Sequence, residues 1–222
     1  MKIGTDGVLL GAWCSVDEQP ESILDVGTGS GVIALQLAQR SDAELIDAVE
    51  LDEAAYEQAV ENFEQSDWGD RLFCYHSSFE DFANEFAEEE ETYDLIIANP
   101  PFYTEHFESE NDSRNKARFT SSLSFENLIE GACKILSENG IFSLIIPYKE
   151  EQNFVNLALE NDLFLNRVCR VKGTTKSEIK RSLMEFSKNQ QSIKEEELTI
   201  ETSRHQYTKE YIELVKDFYQ KM

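Results

Sequence analysis

The chain has 222 residues, 41% hydrophobic and 11% aromatic, enough to bury one sizeable core. It holds no run of about 18 apolar residues, which argues against a spanning helix, and its first residues lack the apolar stretch of a signal peptide. The formal net charge is −24 but unevenly placed: residues 1–110 carry 27 acids against Lys2, Arg40 and Arg71, whereas 111–222 carry 17 of each sign. Phosphate binding needs positive charge, and every cationic cluster lies in the second half.

In chain order, "SILDV" (22–26) reads as a short buried strand, "GTGSG" as a turn, and 32–40 as a helix by its apolar spacing. A second strand (44–52) leads into a helix over about 53–66. Strands follow at 71–78 and 93–98, the latter ending on "NPPF". Residues 122–140 read as a helix stopped by Gly140. A fifth strand (141–147), a helix (150–161) and a sixth strand (164–172) come next. Residues 181–187 and 197–202 are expected to be further strands, antiparallel to each other because no helix separates them, and 208–222 a closing helix. Alternating strands and helices predict βαβ units and a largely parallel sheet in one domain spanning 1–222. Cys14, Cys74, Cys133 and Cys169 lack metal or redox spacing and read as reduced thiols of a cytoplasmic protein. The three scattered histidines suggest no metal site.

Two stretches carry chemistry. "DVGTGSG" (25–31) follows a strand and opens a helix, so its glycines allow a tight turn with backbone amides near a ligand. Glu50 ends the second strand, where a doubly wound fold places an acid for ribose hydroxyls. The spacing differs from the dinucleotide fingerprint and no Lys or Arg is near, which suits a cationic or zwitterionic nucleoside better than a phosphate ester. In "NPPF" (99–102), Pro100 and Pro101 fix their own φ and restrict the residue before them, leaving Asn99 little freedom.

"ILDVGTGSG", "AVELD" and "ANPPF", in that order, resemble the motifs of class I S-adenosyl-L-methionine (AdoMet)-dependent methyltransferases. "MKIGTDGVLLGAW" at the start and "YTKEYIELVKDFYQKM" at the end narrow the resemblance to tRNA (adenine-N6)-methyltransferases acting at position 37 of a valine tRNA. The resemblance implies a Rossmann-like fold: a mostly parallel seven-stranded sheet, helices on both faces, and an antiparallel C-terminal strand. It also implies a further segment before Met1.

Carried over by position, the resemblance puts Thr5 and Asp6 beside the methionine moiety. Asp25, Gly27, Gly29 and Gly31 line the cofactor turn, and Glu50 holds the ribose. The adenine falls to Ser78 and Phe79, a departure from the family's usual acid there, with Asp81 as a substitute. Asn99 belongs to both the cofactor and the catalytic sets. An exocyclic amine is a poor nucleophile because its lone pair is delocalised into the ring. The Asn99 side-chain carbonyl and the Pro100 backbone carbonyl would accept its hydrogens, a preorganised arrangement needing no strong base. Phe102 would stack the target base, which must leave its helical stack or already be single-stranded. Pro101, Tyr103, Arg114, Lys116, Arg118, Lys172 and Lys176 are the expected RNA contacts. Expected partners are AdoMet and tRNA, with no membrane and no metal. Two alternatives share the motifs: protein glutamine-N5 methylation, and a non-catalytic AdoMet- or RNA-binding module.

Overall fold

The computed structural model describes residues 4–101 and 123–219. Helix α1 (Thr5–Trp13) precedes the alternating core: β1 (Ser22–Val26), α2 (Val32–Arg40), β2 (Leu45–Glu50), α3 (Glu53–Glu64), β3 (Leu72–His76), α4 (Phe79–Glu88) and β4 (Tyr93–Ala98). After residues 102–122 come α5 (Phe125–Ile135), β5 (Leu136–Pro147), α6 (Glu151–Glu160), β6 (Phe164–Thr174), β7 (Ile179–Ser187), β8 (Lys194–Ser203), β9 (Gln206–Tyr207) and α7 (Lys209–Val215). Local signals set several helix starts. The side chains of Asp52, Ser78, Ser124 and Thr208 each accept a bond from the amide three residues on, satisfying a donor that the helix leaves open.

The strands form one sheet in the order β3-β2-β1-β4-β5-β7-β6-β8-β9. β1 to β5 run parallel, and β7 inserts antiparallel between β5 and β6. The class I architecture is thus as expected, but the sheet has nine described strands rather than seven. The strands at 181–187 and 197–202 run antiparallel to each other, as expected, but are not neighbours: β8 pairs parallel with β6. The β6–β7 hairpin fills the middle of this half, so β8 extends the outside. The reading of 122–140 as one helix fails. Helix α5 stops at Ile135, and Leu136–Gly140 already belongs to β5, because buried Leu136 pairs with Tyr93 before a bulge restores register at Leu95–Ile141.

Both faces of the sheet are covered, so strand residues alternate between two cores. Ile23, Leu95 and Ile97 face α1, α2, α3 and α7, whereas Leu24, Ile96 and Ala98 face α4, α5 and α6. Helix α1 buries every residue from Gly7 to Trp13, which removes the amphipathic period that would have marked it in the sequence. Among the described residues no helix is long and apolar enough to cross a membrane. Burial pushes the thiols of Cys14, Cys74 and Cys169 up to about 12 and that of Cys133 to about 11, so none is a thiolate near neutral pH.

Candidate active site

Chain direction reverses between β1 and β4: connections from β1 proceed towards β3, those from β4 towards β5. Ligands of such sheets sit beyond the strand ends at this switch point. The Gly27–Gly31 turn, Glu50, Ser77–Ser78 and Asn99–Pro101 all emerge there. They border a cleft of about 400 Å³ whose walls include Gly27, Val49, Glu50, Leu51, Ser78, Pro100 and Asn127. A larger crevice of about 860 Å³ opens at the opposite end of the strands, between Ser15–Glu21 and Asn189–Lys194, far from these motifs.

The Gly27–Gly31 turn is built by its glycines. Gly27, Gly29 and Gly31 have φ of 68°, 60° and 79°, a left-handed backbone costly for residues with a Cβ. The Gly27 and Thr28 amides donate to the Val49 carbonyl at 2.9 and 3.2 Å, locking the turn onto β2. Glu50 closes it from the other side: Oε2 accepts from the Gly29 amide at 2.8 Å and Oε1 from the Asp52 amide at 2.9 Å. Asp25 lies beneath, fully buried. Its Oδ2 accepts from Thr28 Oγ1 at 2.5 Å and from the Ala34 amide at 3.2 Å, while Oδ1 has no partner among the described residues. Burial pushes this carboxyl up to about 7, outweighing the two hydrogen bonds that lower it. Asp25 therefore braces the turn from below.

At the far wall, Ser78 Oγ accepts from the Asp81 amide at 3.1 Å and donates to Asp81 Oδ2 at 2.6 Å, so the two side chains satisfy each other at the start of α4. The Phe79 ring is 6% exposed and packs against Gly131, where a Cβ would strike it. Leu51, 47% exposed, gives the cleft an apolar wall. Sequence reasoning missed Leu51, Glu80 and Asn127. Glu80 accepts a bond from Asn127 at 3.4 Å between α4 and α5, and only the fold brings those helix starts together.

Pro100 is buried and Pro101 exposed at the cleft, and Asn99 is half-buried beside α1. A Cβ built at Gly7 would stand 3.7 Å from Asn99 Nδ2, an ordinary contact distance, so α1 passes directly beside the loop. Thr5 borders a separate pocket, and Asp6 Oδ2 pairs with Arg181 Nε at 2.7 Å. Lys172 pairs with Glu197 at 2.8 Å, while Lys176 is exposed on the β6–β7 turn. Phe102, Tyr103, Arg114, Lys116 and Arg118 lie outside the described residues.

Comparison with known proteins shows the family. Residues 9–163 match the family model described as methyltransferase small domain. A tRNA1(Val) (adenine(37)-N6)-methyltransferase of Christiangramia forsetii is 58% identical over all of this chain and 92% of its own length. One from Flavobacterium psychrophilum is 57% identical, over all of this chain and 94% of its own. Among solved structures, a predicted O-methyltransferase from Agrobacterium tumefaciens superposes with a TM-score of 0.72 at 19% identity, covering 96% of each chain, a likeness of fold. The chain belongs to the methyltransferase small domain family and, within it, to the tRNA1(Val) (adenine(37)-N6)-methyltransferases.

Proposed function

We propose that the protein transfers a methyl group from AdoMet to N6 of adenine 37 in the anticodon loop of a valine tRNA, in the cytoplasm. One observation carries the reading: the proline-fixed loop after β4 opens onto the same cleft as Glu50 and the glycine turn, so acceptor and cofactor residues share one space.

The donor set fits AdoMet. The described cleft residues include no Lys or Arg, so nothing there is arranged for a phosphate, whereas Glu50 offers a carboxylate to vicinal hydroxyls and to positive charge. Leu51 and Val49 offer apolar surface to a purine, and Ser78 with Asp81 offers polar groups at its edge. AdoMet bound there supplies an electrophilic methyl group on a sulfonium. The chain's own residues orient the acceptor. Asn99, through its side-chain carbonyl, and Pro100, through its backbone carbonyl, would accept hydrogen bonds from the adenine amine and direct its lone pair at the methyl group; the proton that the methylated nitrogen loses passes to solvent. The prolines hold both carbonyls before the substrate arrives, so little reorganisation remains for the reaction step. Asp6, at the start of α1 and paired with Arg181, would close the site on the methionine side.

The test is methyl transfer with labelled AdoMet on total RNA from a strain lacking the gene, followed by nucleoside mass spectrometry. N6-methyladenosine in the tRNA fraction is the expected product. Label in protein hydrolysate with none in RNA would replace this reading by glutamine methylation.

A further inference from the structure

Residues 207–219 of the C-terminal segment line no wall of the cleft just described. They build a second pocket on the same end of the sheet. This pocket, of about 350 Å³, is lined by Tyr207, Tyr211 and Tyr219 on one side and by Thr5, Thr174 and Glu201 on the other. Tyr207 and Tyr219 are 36% and 37% exposed, while Tyr211 is buried at 3%. The Tyr207 and Tyr211 rings lie 5.2 Å apart, and Tyr219 borders the same pocket. The surface is fixed from below: Thr208 caps α7 through the Tyr211 amide at 3.1 Å and donates its hydroxyl to the Thr199 carbonyl at 2.5 Å.

Two features define what such a surface accepts. Exposed aromatic faces bind unpaired bases of single-stranded RNA by stacking. Glu201, held by the His205 amide at 3.3 Å, repels phosphate but accepts hydrogen bonds from the N–H groups of a base edge. The phosphates find charge outside: Lys176 and Lys180, near the Thr174 wall, are exposed and form no ion pair among the described residues. The pocket is also next to the reaction site. Thr5 in its wall is two residues from Gly7, about 3 Å along the axis of α1, and Gly7 packs against Asn99.

We propose that this pocket receives an unpaired nucleobase neighbouring the target adenine, stacked on Tyr207 and Tyr219 with its N–H edge towards Glu201. The proposal rests on the tRNA reading above and adds a specificity element to it. A base held there would fix the register of the loop, so that only one adenine reaches Asn99.

The test uses the full chain, an anticodon stem-loop RNA of the valine tRNA, and the same RNA with 2-aminopurine on either side of the target. Tyr207→Ala and Tyr219→Ala are expected to weaken RNA binding about tenfold each, the loss of one stacked base. Affinity for AdoMet by calorimetry should stay as in wild type, and Tyr207→Phe should restore RNA binding. With the wild-type protein, 2-aminopurine fluorescence should change on binding at one neighbouring position. RNA affinity unchanged in both alanine variants overturns the pocket. If those variants misfold, unchanged fluorescence at both neighbours overturns it in the wild type. Methyl transfer persisting alongside either result leaves the catalytic reading standing, whereas a wild-type protein that neither binds nor methylates the RNA removes both.

Discussion

Glu50 and Gly29, 21 positions apart, meet where the Glu50 carboxylate accepts the Gly29 amide at 2.8 Å. The acid at the end of β2 thereby shapes the turn after β1 while offering its charge to the cleft. Glu50→Ala removes both effects. Charge-assisted hydrogen bonds contribute about 1.5–3 kcal/mol each, so AdoMet affinity should fall about 10- to 100-fold. Calorimetric titration checks this, and affinity within twofold of wild type would refute the ribose role.

Asn99 should separate chemistry from binding. In the proposed reaction its side chain acts on the acceptor amine, so Asn99→Ala is expected to lower kcat about 100-fold or more, on the scale seen when one preorganised hydrogen-bonding group is lost. AdoMet affinity should change little. Single-turnover rates at saturating cofactor measure it, and an unchanged rate would remove Asn99 from the mechanism.

Gly31 is confined twice. Its φ of 79° disfavours any side chain, and a Cβ there would run into the Phe63 ring. Gly31→Ala should cost about 2–4 kcal/mol of stability, combining left-handed strain with overpacking. Urea denaturation checks the loss. Gly4, with nothing within 4 Å of an added Cβ, serves as the control position.

Asp25 and Asp47 give the fold a defined pH dependence. Burial raises Asp25 from 3.8 to about 7 and Asp47 from 3.8 to about 6, the latter opposed by a 2.6 Å bond donated by the Tyr93 hydroxyl. Between these limits the folded chain binds more protons than the unfolded one, so both groups lower stability as pH rises from about 4. Asp47 is spent by about pH 6 and Asp25 by about pH 7. Each contributes a slope of up to about 1.4 kcal/mol per pH unit. Asp25→Asn keeps an acceptor for Thr28 and Ala34 and should flatten the decline, making the variant relatively more stable at pH 8 than at pH 4. Parallel denaturation curves at both pH values would show that Asp25 does not titrate in this range.

Arg167 ties the N-terminal helix to the second half of the sheet. Its guanidinium sits 4.1 Å over the Trp13 ring and reaches Glu185 at 3.5 Å and Glu196 at 3.1 Å. Burial works to raise Glu196, but hydrogen bonds from Lys194, Trp13 and Arg167 outweigh it and hold the carboxyl at about 2. Arg167→Ala leaves the 5%-exposed Glu185 with less compensation and should cost about 2 kcal/mol. The cleft lies at the other end of the strands, so AdoMet affinity should not move. Thermal melting paired with calorimetry tests both halves.

The sequence by itself determined the alternating core and the backbone of the turn and loop that border the cleft. Glycines at 27, 29 and 31, an acid at 50 and two prolines after Asn99 are local requirements of backbone geometry, so they stand in the sequence without reference to distant residues. Strand runs such as "SILDV" and "YDLIIA" announce themselves because both faces are buried. Tertiary structure decided what depends on remote partners. Helix α1 is buried all round, so its apolar run has no period to read. Leu136–Gly140 joins β5 rather than α5 because Tyr93 waits as its neighbour. Lys172 stands in a basic stretch of the sequence, but it and its neighbours Arg167 and Arg170 face acids of α6, β7 and β8 across the sheet. Charge can be counted along a chain, but whether it faces water or a carboxylate is settled only when the strands pair.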